Sequence, residues 1–320
     1  MNEINLPVVI RERRVETPEV ICFELGSVSG HALPDFLPGS YVDLEMPKSG
    51  IRSYSLVRRS RDRQRYLIAV KLEAQGRGGS SWLHDQAAVG TELSISAPKG
   101  SFTWVEQPSM SCFVAGGIGI TPLLPMLERA NELGHPWQLH YAAASPQRMA
   151  FREQLERLEG GSGQVHMHFS DGSTPRMDIG SVVRKWDADA NAHLYCCGPG
   201  RMVDAFLSAT GHRAGNTVHV ERFGSSQAPS TDGGYQVQLA RSGQCHFVPA
   251  GKTILDVLIE AGADVSYACG QGVCGACQTR VLQGDVDHRD CFFTEEEKAT
   301  NSTMLICCSG SRSDTLVLDL

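Results

Sequence analysis

The chain has 320 residues, 41% hydrophobic and 20% charged, the make-up of a soluble globular protein with length for two or three cores of roughly 100 to 150 residues each. Its 29 Lys plus Arg against 36 Asp plus Glu leave a formal charge of −7, so no global basic field attracts nucleic acid or acidic lipid. Eleven cysteines, an odd count, argue against a disulfide framework and for metal, cluster or thiol chemistry.

The first residues, Met1 to Ile10, include an early acid and only a short apolar run, which lacks the pattern of a signal peptide and points to the cytoplasm. Through the first hundred residues, short alternating runs such as Tyr41 to Met46 and Tyr66 to Leu72 are separated by Pro38-Gly39, Ser49-Gly50 and Pro98-Lys-Gly100. That texture predicts an antiparallel barrel or sandwich. Within it, Arg52-Ser-Tyr-Ser-Leu56 reads as a strand that puts Arg52 and Tyr54 on one face and Ser53 and Ser55 on the other. By itself such a pentapeptide is equally an ordinary barrel strand. Gly76-Arg-Gly-Gly-Ser-Ser-Trp-Leu-His84 offers pliant backbone and then hydroxyls at a helix start, where free N–H groups suit a phosphate. Arg58, Arg59, Arg61, Arg63 and Arg65 read either as a solvated hairpin tip or as a docking patch for an acidic surface.

From residue 112 the texture becomes strand then helix: Cys112-Phe-Val-Ala into Pro122 to Glu128, His140-Tyr-Ala-Ala into Phe151 to Leu158, and His193-Leu-Tyr-Cys into Met202 to Leu207. Alternating units of this kind predict a parallel sheet with helices on both faces. The glycine-rich 107–127 stretch, uncharged though it is, reads as strand, turn and helix start rather than a membrane span. In Ala115-Gly-Gly-Ile-Gly-Ile-Thr-Pro122, Gly116, Gly117 and Gly119 let the backbone approach a pyrophosphate, and Pro122 suits the first helical turn. It does not fit strict G-x-G-x-x-G. Cys196-Cys-Gly-Pro-Gly200 ends a later strand in a tight turn. His166 and His168 alternate as in a strand rather than a metal site.

Gly224 to Gly234 has the composition of a flexible linker, and the last 88 residues, 233–320, are the acidic portion, with 6 basic and 11 acidic side chains. There the chain reads Cys269-Gly-Gln-Gly-Val-Cys274-Gly-Ala-Cys277, with Cys307 after 29 intervening residues. This is the C-x4-C-x2-C…C spacing of a plant-type [2Fe–2S] site. Gly270, Gly272 and Gly275 supply the positive-φ turns a tight thiolate loop needs. A zinc site, the alternative, more typically uses two C-x2-C pairs. The spacing favours Cys307 as fourth ligand without excluding Cys308. Cys22, Cys112, Cys196, Cys245 and Cys291 read as ordinary buried small residues.

Taken together these segments resemble a ferredoxin–NADP reductase-like flavin module with a plant-type ferredoxin behind it, the order of the phthalate dioxygenase reductase family, vanillate demethylase reductases included. The resemblance spans essentially the whole chain and implies a flavin barrel over 1–105, an α/β nucleotide domain over 106–224, a linker over 225–232 and a β-grasp ferredoxin domain over 233–320. It implies that Arg52 pairs with flavin phosphate, that Tyr54 lies along the cofactor and that the Ser55 hydroxyl approaches flavin N5. Ser53, Ala69, Val70, Lys71, Gly78, Gly79, Ser80 and Ser81 count with the flavin contacts. Gly116, Gly117, Gly119, Thr121, Pro122, Cys197, Gly198 and Pro199 would form the nicotinamide site, and Phe223 of Glu221-Arg-Phe-Gly224 an aromatic that covers the flavin, or else a core phenylalanine. No motif for a second phosphate and adenine is present, which favours FMN over FAD. Tyr141 to Ser145 carries no arginine where several relatives have one, and Asp171 could accept from a ribose hydroxyl, which favours NADH, although Arg148 or Arg176 could reverse that.

The implied activity is hydride transfer from NADH to FMN, then single electrons through [2Fe–2S] to a Rieske-type oxygenase as protein acceptor, by a monomer that binds neither nucleic acid nor membrane. Alternatives are service to a P450 or another oxygenase, or a non-catalytic redox carrier or sensor. Ser309-Gly-Ser-Arg312 departs from the S-R-A that often follows the last ligand, which puts the cluster environment in question.

Overall fold

The computed structural model describes residues 4–47, 50–59, 62–74, 76, 78–100, 102–106, 109–224, 227–267 and 269–320. Arg61, Arg77, Ser49, Ser225 and Ser226, named above, lie outside these. The chain forms two compact units, Glu3–Arg222 and Phe223–Leu320.

The first unit begins with β1 (Ile4–Thr17), β2 (Val20–Ser27), β3 (Tyr41–Met46), β4 (Gly50–Arg59), β5 (Arg65–Lys71) and β6 (Glu92–Ser96), joined in the order β1-β2-β5-β4-β3-β6 as a closed antiparallel barrel. Closure comes from β1 pairing with both β2 and β6, with Val8 opposite Ser27 on one side and Leu93 on the other. It removes exposed sheet edges. Alternation fills the interior: Val42 and Leu44 from β3 meet Phe23, Leu25, Leu56, Ile68 and Ile95. Helix α1 (Gly79–Asp85) lies between β5 and β6 in the chain and is tied to β5, His84 Nε2 standing 2.9 Å from the Val70 carbonyl.

The same unit continues with β7 (Ser111–Gly116), β8 (Trp137–Ala143), β9 (Gly163–Phe169), β10 (His193–Cys197) and β11 (Val218–Glu221), all parallel in the order β11-β10-β7-β8-β9. Helices α2 (Ile120–Glu132), α3 (Arg152–Leu158), α4 (Ile179–Arg184) and α5 (Gly200–Thr210) connect the strands. The order reverses at β7 and β10, and in such sheets ligands bind beyond the carboxyl ends of the strands at the reversal. Phe151, expected within a helix, instead precedes α3 at φ 60°, and its N–H donates to Glu16 Oε1 of β1 at 2.7 Å.

The second unit has a mixed sheet in the order β13-β12-β18-β14-β16, built from β12 (Tyr235–Leu239), β13 (Cys245–Val248), β14 (Gln278–Gln283), β16 (Thr303–Leu305) and β18 (Thr315–Leu318). The short β15 (Val286–Asp287) and β17 (Gly310–Ser311) pair separately. Helix α6 (Ile254–Glu260), started by a Thr253–Asp256 capping box, puts Ile254, Leu255 and Leu258 into the core with Val237, Leu316 and Leu318. Helix α7 (Glu295–Ala299) is short and exposed. This is the β-grasp arrangement expected of the C-terminal part.

All eleven cysteines are free thiols. Of the five read as ordinary buried residues, Cys22, Cys112 and Cys196 are buried. Cys245, the first residue of β13, is exposed, and Cys291 is half-buried.

Candidate functional site

On the barrel, Arg52 and α1 come together. Gly78 enters α1 in the left-handed region, φ 83°, and as a glycine offers no side chain of its own to cap the helix start. The aliphatic stem of Arg52 lies against Gly79: a methyl there would stand 2.9 Å from Arg52 Cγ. An arginine beside the first-turn amides of a helix is the donor set a phosphate monoester fits. Ser80 Oγ accepts from Glu73 N–H at 3.0 Å, which pins the loop. Ser81 follows in the same first turn.

Tyr54 is largely covered, and burial pushes its phenol up to about 12 against the pull of Arg52. Ser55 is buried at the position paired with Tyr41. Ser53 turns elsewhere: its hydroxyl donates to Asp43 Oδ1 at 2.6 Å, and Lys99 holds the other oxygen of that buried carboxylate at 2.7 Å. Among the other expected flavin contacts, Val70 points into the barrel core, Ala69 is buried and Lys71 pairs with Glu73. The arginine-rich turn has partners: Arg63 pairs with Asp35, and Arg65 with Glu24 and Asp62.

The two nucleotide motifs, about 80 residues apart in sequence, meet at the reversal of the parallel sheet. A methyl on Gly119 would strike the Cys197 carbonyl and stand 2.8 Å from Gly198 N. A methyl on Gly116 would stand 2.7 Å from Pro199 Cδ and from Met202 Sδ. Only glycine permits this approach of two backbones. Gly117 takes φ 54°, and its carbonyl accepts from the buried Tyr141 hydroxyl at 3.0 Å. Thr121 is buried, its Oγ1 donating to the Ile118 carbonyl at 2.8 Å, and Pro122 sits in the first turn of α2.

Cys197 is fully buried, and burial, then the neighbouring Glu221 carboxyl, push its thiol well above the ordinary range. It is a neutral thiol, not a nucleophile. The sequence assigns Glu221 no role. It stands in register with Cys197, its Oε2 is buried without a hydrogen-bond partner among the described residues, and burial pushes the carboxyl up to about 8. The only sequence signal was an acid at the end of an apolar strand.

Asp171, by contrast, lies past β9, at the far edge of the sheet and two strands from β7. Its Oδ1 accepts from the Ser173 hydroxyl and N–H, which hold the carboxyl below its ordinary range. Phe223 is partly covered and belongs to the second unit.

In that unit, Gly270, Gly272 and Gly275 all take positive φ, 60°, 73° and 73°. The Cβ that Gly272 lacks would stand 2.7 Å from Cys308 Sγ, and the one that Gly275 lacks would strike the Phe292 ring. Beneath the loop, the buried Asp290 carboxylate accepts from the N–H groups of Phe292 and Phe293 at 3.2 and 3.0 Å.

Cys269 and Cys274 hydrogen-bond through their thiols, as do Cys277 and Cys307, and Cys307 also meets Cys308. The charge of Cys307 is felt at Cys274 and that of Cys269 at Cys277, so the four expected ligands share one electrostatic environment. The hydrogen bond from Cys269 holds the Cys274 thiol below its ordinary value. Among the described residues, no group of three or more His, Cys, Asp or Glu side chains is arranged to hold a metal ion. Four sulfurs on a glycine loop and a neighbouring turn, with the Gln271 N–H donating to Cys269 Sγ at 3.3 Å, fit a multi-iron cluster better than a single tetrahedral ion.

Three domain families match the chain: an oxidoreductase FAD-binding domain over residues 7–104, an oxidoreductase NAD-binding domain over 113–207 and a 2Fe-2S iron-sulfur cluster binding domain over 238–311. The phenoxybenzoate dioxygenase subunit beta of Ectopseudomonas oleovorans is 44% identical over 302 residues, covering 94% of this chain and 93% of the relative. Among solved structures, phthalate dioxygenase reductase, described as a modular structure for electron transfer from pyridine nucleotides to [2Fe–2S], superposes with a TM-score of 0.84 at 34% identity, covering 98% of each chain. An intact type IV self-sufficient cytochrome P450 monooxygenase matches all of this chain with 41% of its own length, at a TM-score of 0.72 and 36% identity.

Proposed function

The chain belongs to the phthalate dioxygenase reductase family, and from that premise we propose that it is the reductase component of a Rieske-type oxygenase acting on an aromatic ring or an O- or N-linked methyl group. It is an NADH-dependent flavin and [2Fe–2S] oxidoreductase. When bound, the flavin accepts a two-electron hydride and the cluster passes electrons one at a time, so the hard chemistry belongs to the cofactors and the protein supplies position.

In the proposed reading the flavin is FMN. Arg52 and the Gly78–Ser81 turn would hold its single phosphate, Tyr54 would lie along it, and Ser55 would present its hydroxyl to it. Thr121, Cys197 and the Gly116–Gly119 and Gly198–Pro199 backbones would orient the nicotinamide, with Asp171 on the adenosine ribose. Cys269, Cys274, Cys277 and Cys307 would bind the cluster. We place the module boundaries at 105, 224 and 232, and the protein in the cytoplasm as a monomer, where eleven free thiols suit a reducing compartment.

The observation that carries the reading is the contact of Gly119 with Cys197 and Gly198 beside the buried Thr121. It brings two separate motifs together where the proposed nicotinamide would sit, and hydride transfer needs no general base there. A second reading, delivery of electrons to a cytochrome P450, is favoured by the P450 monooxygenase that contains a match to this entire chain. Chromatography of heat-released flavin, iron analysis and stopped-flow mixing with NADH test the proposal: FMN, about two irons per chain, and flavin reduction ahead of cluster bleaching are expected. FAD in the extract would remove the FMN assignment. Faster turnover with a purified P450 than with a Rieske oxygenase would select the second reading.

A further inference from the structure

The residues just ahead of β12 are not loose from the cysteine sites. Ser230 is only 6% exposed. Its N–H donates to the Cys308 carbonyl at 2.7 Å, and its side chain fills the space beside Gly310, where an added methyl would stand 2.7 Å from Ser230 Cβ and nearer still to Oγ. The next residue, Thr231, offers its carbonyl to the Gly251 N–H at 2.8 Å. Nearer the start of the unit, a methyl on Gly224 would stand 3.0 Å from Oε1 of Gln271, the residue whose N–H bonds Cys269 Sγ.

Cys307 comes from a turn 30 residues beyond Cys277. That turn is tight, the Cys308 and Ser309 N–H groups both donating to the Leu305 carbonyl at 3.2 and 3.0 Å. Its outward Cys308 carbonyl is buried, so it needs a donor from outside the turn. Ser230 supplies it. If Ser230 moved away, the Cys307–Cys308 segment would either leave that carbonyl unsatisfied or rotate to find water, carrying the Cys307 sulfur with it.

We propose that Ser230, which lies ahead of the 238–311 stretch matched by the cluster-binding domain family, is a positioning residue for the cluster, locking the Cys307–Gly310 turn in the geometry that presents the fourth thiolate. This rests on the reading that Cys269, Cys274, Cys277 and Cys307 hold [2Fe–2S]. The flavin and nicotinamide sites do not depend on it.

The test uses the full-length, cluster-loaded protein and the rate at which iron passes to a chromogenic ferrous chelator after anaerobic reduction, together with the EPR signal of the reduced cluster. Gly310→Ala should expel Ser230 and release iron on the order of tenfold faster, the scale seen when a partner behind a metal ligand is lost. Ser230→Gly keeps the N–H and should release iron near the wild-type rate. The double variant Gly310→Ala/Ser230→Gly makes room for the methyl and should recover slow release and the wild-type EPR line shape. Flavin reduction by NADH should be unchanged in all three. Should Gly310→Ala take up no iron at all, recovery of loading in the double variant supports the proposal and continued failure overturns it. Wild-type release from Gly310→Ala overturns it as well. A wild-type protein with no iron and no EPR signal would instead sink the cluster reading on which the proposal stands.

Discussion

Glu221 and Cys197 face each other in register on adjacent parallel strands, and both are held in their neutral forms, the thiol fully buried and the carboxyl with one oxygen sealed from any partner among the described residues. An uncharged pair at the carboxyl end of the sheet would suit the proposed nicotinamide ring, whose charge changes during hydride transfer. It also leaves a measurable trace in stability.

The Glu221 carboxyl titrates near 8 in the folded chain, above its ordinary value, so the unfolded chain loses its proton first as pH rises. The stability lent by the protonated form is therefore present below about pH 4.5 and drains away between there and about 8. Glu221→Gln keeps the neutral shape. Denaturant melts should show it on the order of 1–3 kcal/mol more stable than wild type at pH 9, with the gap closing toward pH 5. A gap that did not change with pH would mean that the carboxyl is ionised in the folded protein.

His140 behaves in the opposite sense. It is 3% exposed, its Nδ1 is 3.3 Å from His168 Nε2, and its ring stacks on His166 at 4.5 Å. Burial, then its two histidine neighbours, push it down to about 3. The unfolded chain takes up the proton first on acidification, so stability present above about pH 6.5 is lost as pH falls toward the folded value. His140→Asn should flatten the decline in stability between pH 6.5 and 4.5, by up to about 1.4 kcal/mol per pH unit, the weight of one proton. Urea melts at half-unit pH steps would read this slope.

The proposed phosphate site has its own signature. Arg52→Ala, or Gly79→Ala, whose methyl displaces the Arg52 stem, should weaken FMN binding on the order of tenfold to a hundredfold. Riboflavin, which lacks the phosphate, should lose far less. Fluorescence titration of the apoprotein with both flavins makes the comparison, and equal losses would place the phosphate elsewhere.

Cys274→Ser addresses the division of labour between the two units. It should leave reduction of bound flavin by NADH at the wild-type rate while abolishing the EPR signal and electron delivery to cytochrome c. Equal loss of both activities would contradict a cluster held independently of the flavin site.

Much of the site was legible because cofactor chemistry imposes local requirements. The thiolate loop needs its glycines between Cys269 and Cys277, and all three take the positive φ expected of them. The Gly116–Pro122 turn lies between an apolar strand and a helix, as its composition predicts. Periodicity likewise carried the barrel and the parallel sheet. It could not decide which strand of the barrel pairs with which, nor that Ser53 spends its hydroxyl on Asp43, ten residues away, while Ser55 does not.

What the sequence determined by itself, then, is the set of local motifs and the order in which they run, since each depends on the backbone freedom or side-chain chemistry of a few neighbouring residues. Tertiary structure alone decided the meeting of Gly119 with Cys197, the neutral carboxyl of Glu221 beside that thiol, and the N–H of Ser230 on Cys308. These join segments roughly 25 to 80 residues apart, and they follow from sheet order, close backbone approach and burial, which exist only once the chain has packed.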